Sequence, residues 1–214
     1  LYICVNYFIL TMSNESAKSE AIKIFRAQFP SAFSTSEALN CGVHPRILYQ
    51  LRDEGFIEQV SRGVYIVAEA NIENLDFLIV SHRVPKSVVC LESALYFYEI
   101  TTQIPKAVMI AMPRKSKQPK IDHPPIIVYR FSEEAFNNGI EEHEVNNEII
   151  KIYSPEKTLA DCFKFRNQLG MDVVLEALKM YKEKYRFDAL KIAKYAKICR
   201  VSKIIQPYME SLFL

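Results

Sequence analysis

Glycine is scarce in this chain and tryptophan is absent. Five glycines are scattered over 214 residues, too few and too far apart for a phosphate-cradling loop or a dinucleotide fingerprint, which need clustered glycines so that backbone N–H groups can close on phosphate. Neither a Gly-x-Ser-x-Gly elbow nor a His-Glu-x-x-His pair occurs. His82, His123 and His143 are isolated in sequence, and His143 lies among glutamates, where a surface pair fits better than catalysis. The expectation is a protein that is not an enzyme, with no cofactor and no metal.

Cysteine pairing is also missing. Cys4, Cys41, Cys90, Cys162 and Cys199 are odd in number and never form a Cys-x-x-Cys pair, a pattern of reduced thiols in a cytoplasmic protein. Cys41 and His44 have a metal-like spacing, but no second pair follows nearby. No hydrophobic run is long enough to read as a membrane helix. The apolar, uncharged stretch Leu1 to Met12 is too short to span and lacks the basic start of a signal peptide. Polar Ser13-Asn14-Glu15-Ser16 follows. Residues 1–12 are therefore set apart as an upstream extension, with Met12 as the expected true start.

Half the residues are apolar, which fits a globular chain long enough for one large domain or two smaller ones. Its organising stretch is 34–67. Ser34 and Thr35 are N-cap types, and Glu37 three residues after Ser34 makes a capping box. Gly42 stops that short helix. Pro45 opens a second helix ending near Gly55. The period then changes to two through Phe56 to Val60, and Ser61-Arg62-Gly63 turns the chain into Val64-Tyr65-Ile66-Val67. Helix, turn, helix and hairpin in this order predict a winged helix-turn-helix.

At 100° per residue, Ile47, Leu48 and Leu51 share one arc of the second helix and should face the core. Pro45, Arg46, Tyr49 and Asp53 lie opposite, flanked by Gln50 and Arg52. Arg46, Tyr49, Gln50 and Arg52 suit base edges and phosphates, and Arg62 at the hairpin tip would reach an adjacent phosphate or the minor groove. Ser34 and Thr35 complete the expected DNA-binding set. A small helical subdomain used for protein contacts would show the same pattern without binding DNA.

Charge is segmental. The net charge is only +2, and residues 13–70 carry six basic and seven acidic residues, so one copy should bind DNA modestly. Four cations (Arg114, Lys115, Lys117 and Lys120) lie in 114–120, six acids and no Lys or Arg in 132–148, and thirteen basic against six acidic residues in 151–203. The acidic run reads as solvated surface. The basic surplus would extend a DNA contact or attract an acidic partner.

Ahead of the anchor, Ala17 to Phe29 reads as a helix with Ala21, Ile22, Ile24 and Phe25 near one face, ended by Pro30. The domain reading is 13–70 for the winged helix-turn-helix and 75–214 for an α+β C-terminal domain. In the latter, Ser87 to Tyr98 reads as a helix, and Ala107 to Met112 and Ile126 to Phe131 read as strands. Val145 to Tyr153 reads as a third strand with a turn at Asn146-Asn147. Helices are expected at Pro155 to Phe165, Met171 to Lys184, Phe187 to Tyr195 and Ser202 to Phe213. Strands early and helices late make the fold class α+β.

Four stretches taken in order resemble one family. They are Arg62-Gly63-Val64-Tyr65 closing the winged segment, Leu91-Glu92-Ser93-Ala94-Leu95-Tyr96, Thr101-Thr102-Gln103-Ile104-Pro105, and Tyr153-Ser154-Pro155-Glu156-Lys157-Thr158-Leu159-Ala160-Asp161. Together they resemble the AbiEi-type antitoxins, predicted transcriptional regulators of abortive-infection phage-defence systems, over residues 16–212. The resemblance implies a DNA-binding antitoxin of a type IV toxin–antitoxin pair. Such a protein represses its own operon and counters a nucleotidyltransferase-like toxin without having to bind it. Only Arg46, Tyr49, Gln50, Arg52 and Arg62 receive a role from it. Glu156 and Asp161 read either as functional groups or as a helix start and a local contact. A weakly charged wing further implies that inverted repeats of operator DNA are bound by a pair of copies.

Overall fold

The structure is a computed structural model that describes residues 25–68, 70 and 72–212. The expected extension at 1–12, the first part of the helix expected over 17–29 and the final residue of the helix expected over 202–213 lie outside those residues. The chain divides into two compact units: residues 1–85 with 121–124 and 144–149, and residues 86–120 with 125–143 and 150–214. The first unit therefore includes the helix at 75–83.

In the first unit, residues 25–28 are helical and are followed by β1 (Phe33–Ser34), α1 (Thr35–Asn40) and α2 (Pro45–Asp53). A hairpin of β2 (Ile57–Ser61) and β3 (Val64–Val67) comes next, then α3 (Leu75–Arg83). The three strands form an antiparallel sheet in the order β1-β3-β2. Ser34 caps α1 through a complete capping box with Glu37, and Gly42 takes φ +82° in the turn between α1 and α2, a backbone setting that favours glycine. Phe25, Phe29, Phe33, Ala38, Val43, Ile47, Leu48, Leu51, Ile57, Tyr65 and Val67 share one core. Its aromatic spine runs Phe25–Phe29–Phe33–Tyr65, with ring centroids 4.4 to 5.9 Å apart.

The second unit is built on a five-stranded sheet in the order β6-β5-β4-β8-β7, of which residues 144–149, at the β7–β8 turn, count with the first unit. Its strands are β4 (Val88–Val89), β5 (Val108–Pro113), β6 (Ile126–Phe131), β7 (Ile140–Val145) and β8 (Glu148–Tyr153). β4 runs antiparallel to β5 and parallel to β8, while β5 and β6 are parallel. Helices α4 (Leu91–Phe97) and α5 (Glu133–Asn137) interrupt the strands. Helices α6 (Pro155–Lys164), α7 (Arg166–Leu169), α8 (Met171–Lys184), α9 (Ala189–Cys199) and α10 (Ser202–Ser211) follow them. Every residue of α6 from Pro155 to Phe163 is buried. It is the central helix of this unit, and the mixed α+β class holds.

Two local expectations change. The helix expected over 87–98 begins only at Leu91, because Val88 and Val89 pair with β5 as a short strand whose two β-branched residues suit a sheet. The acidic stretch expected as solvated surface supplies α5 and the end strand β7, with Glu133, Glu134, Glu142 and Glu144 exposed as expected. The strand expected over 145–153 is two strands, with Asn146 and Asn147 both left-handed at the turn between them, a conformation asparagine tolerates. Among the described residues no helix is long and apolar enough to cross a membrane.

Candidate nucleic-acid interface

Helix α2 starts where Pro45 fixes the first turn and His44 caps it, Nδ1 accepting from the Arg46 amide at 3.2 Å. That cap gives His44 a role other than the metal spacing with Cys41. Ile47, Leu48 and Leu51 are buried, as the helical angle required, so the rest of the helix faces outward. Arg46, Tyr49 and Asp53 are exposed and Gln50 and Arg52 partly exposed.

The hairpin tip carries Arg62, exposed, and Gly63 at φ +72°. Gly63 permits a turn that other residues resist, and its carbonyl accepts from Thr35 N at 2.9 Å and Thr35 Oγ1 at 3.4 Å. The Arg83 guanidinium donates to the Arg62 carbonyl at 2.8 Å. These bonds fix the tip relative to α1 and α3.

Two open concavities result. One is lined by Arg46, Tyr49, Gln50, Asp53 and Glu54. The other, between α2 and the hairpin, is lined by Thr35, Tyr49, Arg52, Gln59, Arg62, Gly63 and Tyr65. Tyr49 belongs to both, with the Arg52 guanidinium 5.3 Å from its ring centre. Six of the seven expected DNA-binding residues thus come together. Ser34 is different, because its hydroxyl is engaged in the cap, accepting from Glu37 N at 3.2 Å and donating to Glu37 Oε2 at 2.7 Å. Gln59 and Tyr65 were missed. They face each other across the hairpin, in a register that is irregular between Gln59 and Ser61 and so not readable from alternation alone.

Elsewhere in the first unit, His82 is not the isolated histidine its sequence setting suggested. Its side chain is 8% exposed, with Nδ1 3.5 Å from Glu37 and Nε2 3.2 Å from Glu148. Nε2 also lies 3.1 Å from the Ala32 carbonyl oxygen. Acceptors at both ring nitrogens favour the doubly protonated ring. Burial works against that charge, but the Glu148 hydrogen bond, the Glu148 and Glu37 charges and the Ala32 carbonyl outweigh it and raise the pKa above 6.5. Glu37, His82 and Glu148 are a donor set that could hold a metal ion, their ligand atoms lying within 4.8 Å of one another, yet the hydrogen bonds of an imidazolium account for the same geometry.

In the second unit, the Tyr153–Asp161 motif is a buried polar network. Lys157 and Asp161 are both fully buried, Nζ to Oδ2 being 2.5 Å. Lys157 Nζ also lies 4.1 Å from the centre of the Tyr153 ring, and the Cys199 thiol donates to Asp161 Oδ1 at 3.0 Å. Burial, with Asp161 beside it, pushes the Cys199 thiol up to about 12, so it is not a ready nucleophile. Glu156 accepts from Tyr181 at 2.8 Å and pairs with Lys191 at 2.9 Å. Ser154 caps α6 through Lys157 N at 3.3 Å. This arrangement favours the structural reading of Glu156 and Asp161. In the basic segment Arg114, Lys115, Lys117 and Lys120 are exposed, and Arg130 ties the loop down through Ser116 Oγ at 2.5 Å and Gln118 Oε1 at 2.9 Å.

A crystal structure of the RV2827C protein from Mycobacterium tuberculosis is similar in fold, with a TM-score of 0.53 and 12% identity over 90% of this chain and 80% of that chain. No curated protein matches. Residues 20–68, the segment that builds α1, α2 and the hairpin, match the family of transcriptional regulators described as AbiEi antitoxin.

Proposed function

We propose that the chain is a DNA-binding antitoxin that represses its own toxin–antitoxin operon in bacterial phage defence, residues 13–70 acting as a winged helix-turn-helix. In this reading α2 enters the major groove, Arg46, Tyr49, Gln50 and Arg52 face the bases and phosphates, and Arg62 reaches the backbone from the wing. The observation that carries it is the outward face of α2 meeting the hairpin tip in one concavity, within a segment that matches a regulator family. Residues 75–214 serve the antitoxin role, opposing a nucleotidyltransferase-like toxin in the cytoplasm without having to contact it. Because residues 13–70 carry no net positive charge, two copies on inverted repeats supply the affinity that one lacks.

The test is binding to the DNA upstream of its own gene, titrated with salt against scrambled DNA. Saturable binding that prefers the upstream duplex and weakens steeply with salt supports the reading. A single half-site bound as tightly as the full repeat argues against pairing. Absence of any preference at low salt argues for a protein-binding role instead.

A further inference from the structure

Two of the side chains suited to reading bases are already held by carboxylates at the end of their own helix. Arg52 donates to Asp53 Oδ1 from Nε at 2.9 Å and from Nη2 at 2.7 Å, and Gln50 Nε2 donates to Glu54 Oε1 at 2.9 Å. Arg46 and Arg62 are exposed.

Helix energetics do not ask for these acids. Asp53 is the last residue of α2 and Glu54 its C-cap, where the negative end of the helix dipole disfavours carboxylates. The Arg52–Asp53 pair is open to solvent, its side chains 37% and 66% exposed, and such pairs add little to stability. Two acids therefore sit where the helix dipole opposes them, each engaging a residue on the proposed reading face.

Resting on the DNA-binding reading above, we propose that Asp53 and Glu54 are specificity-determining residues that hold Arg52 and Gln50 away from phosphate. On arbitrary DNA, turning Arg52 to a phosphate exchanges its two Asp53 hydrogen bonds for phosphate ones and brings the Asp53 carboxylate against the backbone charge, so little is gained. On the right sequence a guanine edge accepts both Arg52 donors and an adenine edge satisfies the Gln50 amide, which replaces what was broken. Arg46 and Arg62 supply the attraction common to all sequences, and the guarded pair decides which sequence is kept.

The experiment compares Asp53→Asn, Glu54→Gln and the double variant with the unaltered chain. Each is titrated with salt on the upstream duplex and on a scrambled duplex, and its thermal midpoint is measured. Freeing Arg52 for one more phosphate should tighten Asp53→Asn binding to scrambled DNA by about threefold, steepen its log–log salt slope by about 0.9, and shrink the preference for the upstream duplex. The midpoint should not fall, since an acid leaves a helix C-terminus. Glu54→Gln should reduce the preference with a smaller change in slope. Unchanged scrambled binding, or both duplexes gaining equally, overturns the proposal while leaving the DNA-binding reading standing. An unaltered chain that shows no preference, and is indifferent to Arg46→Ala, overturns both.

Discussion

The guanidinium of Arg83, the last residue of α3, donates to the carbonyl oxygen of Arg62 at 2.8 Å and so fastens the hairpin tip to that helix. On the other side of the tip, Thr35 holds the Gly63 carbonyl. Anchored in this way, the turn that carries Arg62 is already ordered, which on the proposed DNA-binding reading lowers the entropic cost of binding.

Removing the anchor should therefore weaken binding more than it weakens the fold. Arg83→Met is expected to cost about 1 kcal/mol of stability, a typical net hydrogen-bond contribution. DNA affinity should fall several-fold, with a shallower salt slope as Arg62 loses its place. Urea denaturation alongside a salt titration checks both.

His82 should make the stability of the first unit depend on pH. Its folded pKa lies above the ordinary 6.5, so its contribution is complete below about 6.5 and is lost as pH rises through the folded value. Thermal melts should show His82→Gln losing most stability relative to the unaltered chain near pH 5.5 and less near pH 9. Equal losses at both would contradict a charged His82.

The buried pair on α6 gives a sharp stability test. Lys157→Met or Asp161→Leu alone leaves a charge buried without its partner, a cost of about 3–5 kcal/mol. Replacing both should cost clearly less than the two singles summed. Equilibrium unfolding in urea measures the cycle, and additive losses would show that the two residues act independently.

Much of the first unit was legible because its signals are local. The Ser34–Glu37 box, Gly42 between the helices, Pro45 at a first turn and the angular grouping of Ile47, Leu48 and Leu51 each follow from a few neighbouring residues. What escaped depends on residues far apart. Gln59 and Tyr65 share a concavity through an irregular strand register, and His82 meets Glu37 and Glu148 from 45 and 66 positions away. The two-residue strand β4 is too short to declare a period, and only its pairing to β5 and β8 reveals it. Asp161 read equally as a functional group or a local contact, and only its pairing with Lys157, which lets both be buried, decides for the contact.

The central claim is most directly tested by the salt dependence of binding to the upstream duplex, for the unaltered chain and for Arg46→Ala with Arg62→Ala. Preferential binding over scrambled DNA is predicted. The double variant should retain the fold, bind more weakly, and have a slope shallower by about 0.9 for each phosphate it no longer neutralises. A slope and affinity indifferent to both arginines, in a folded variant, would contradict the account.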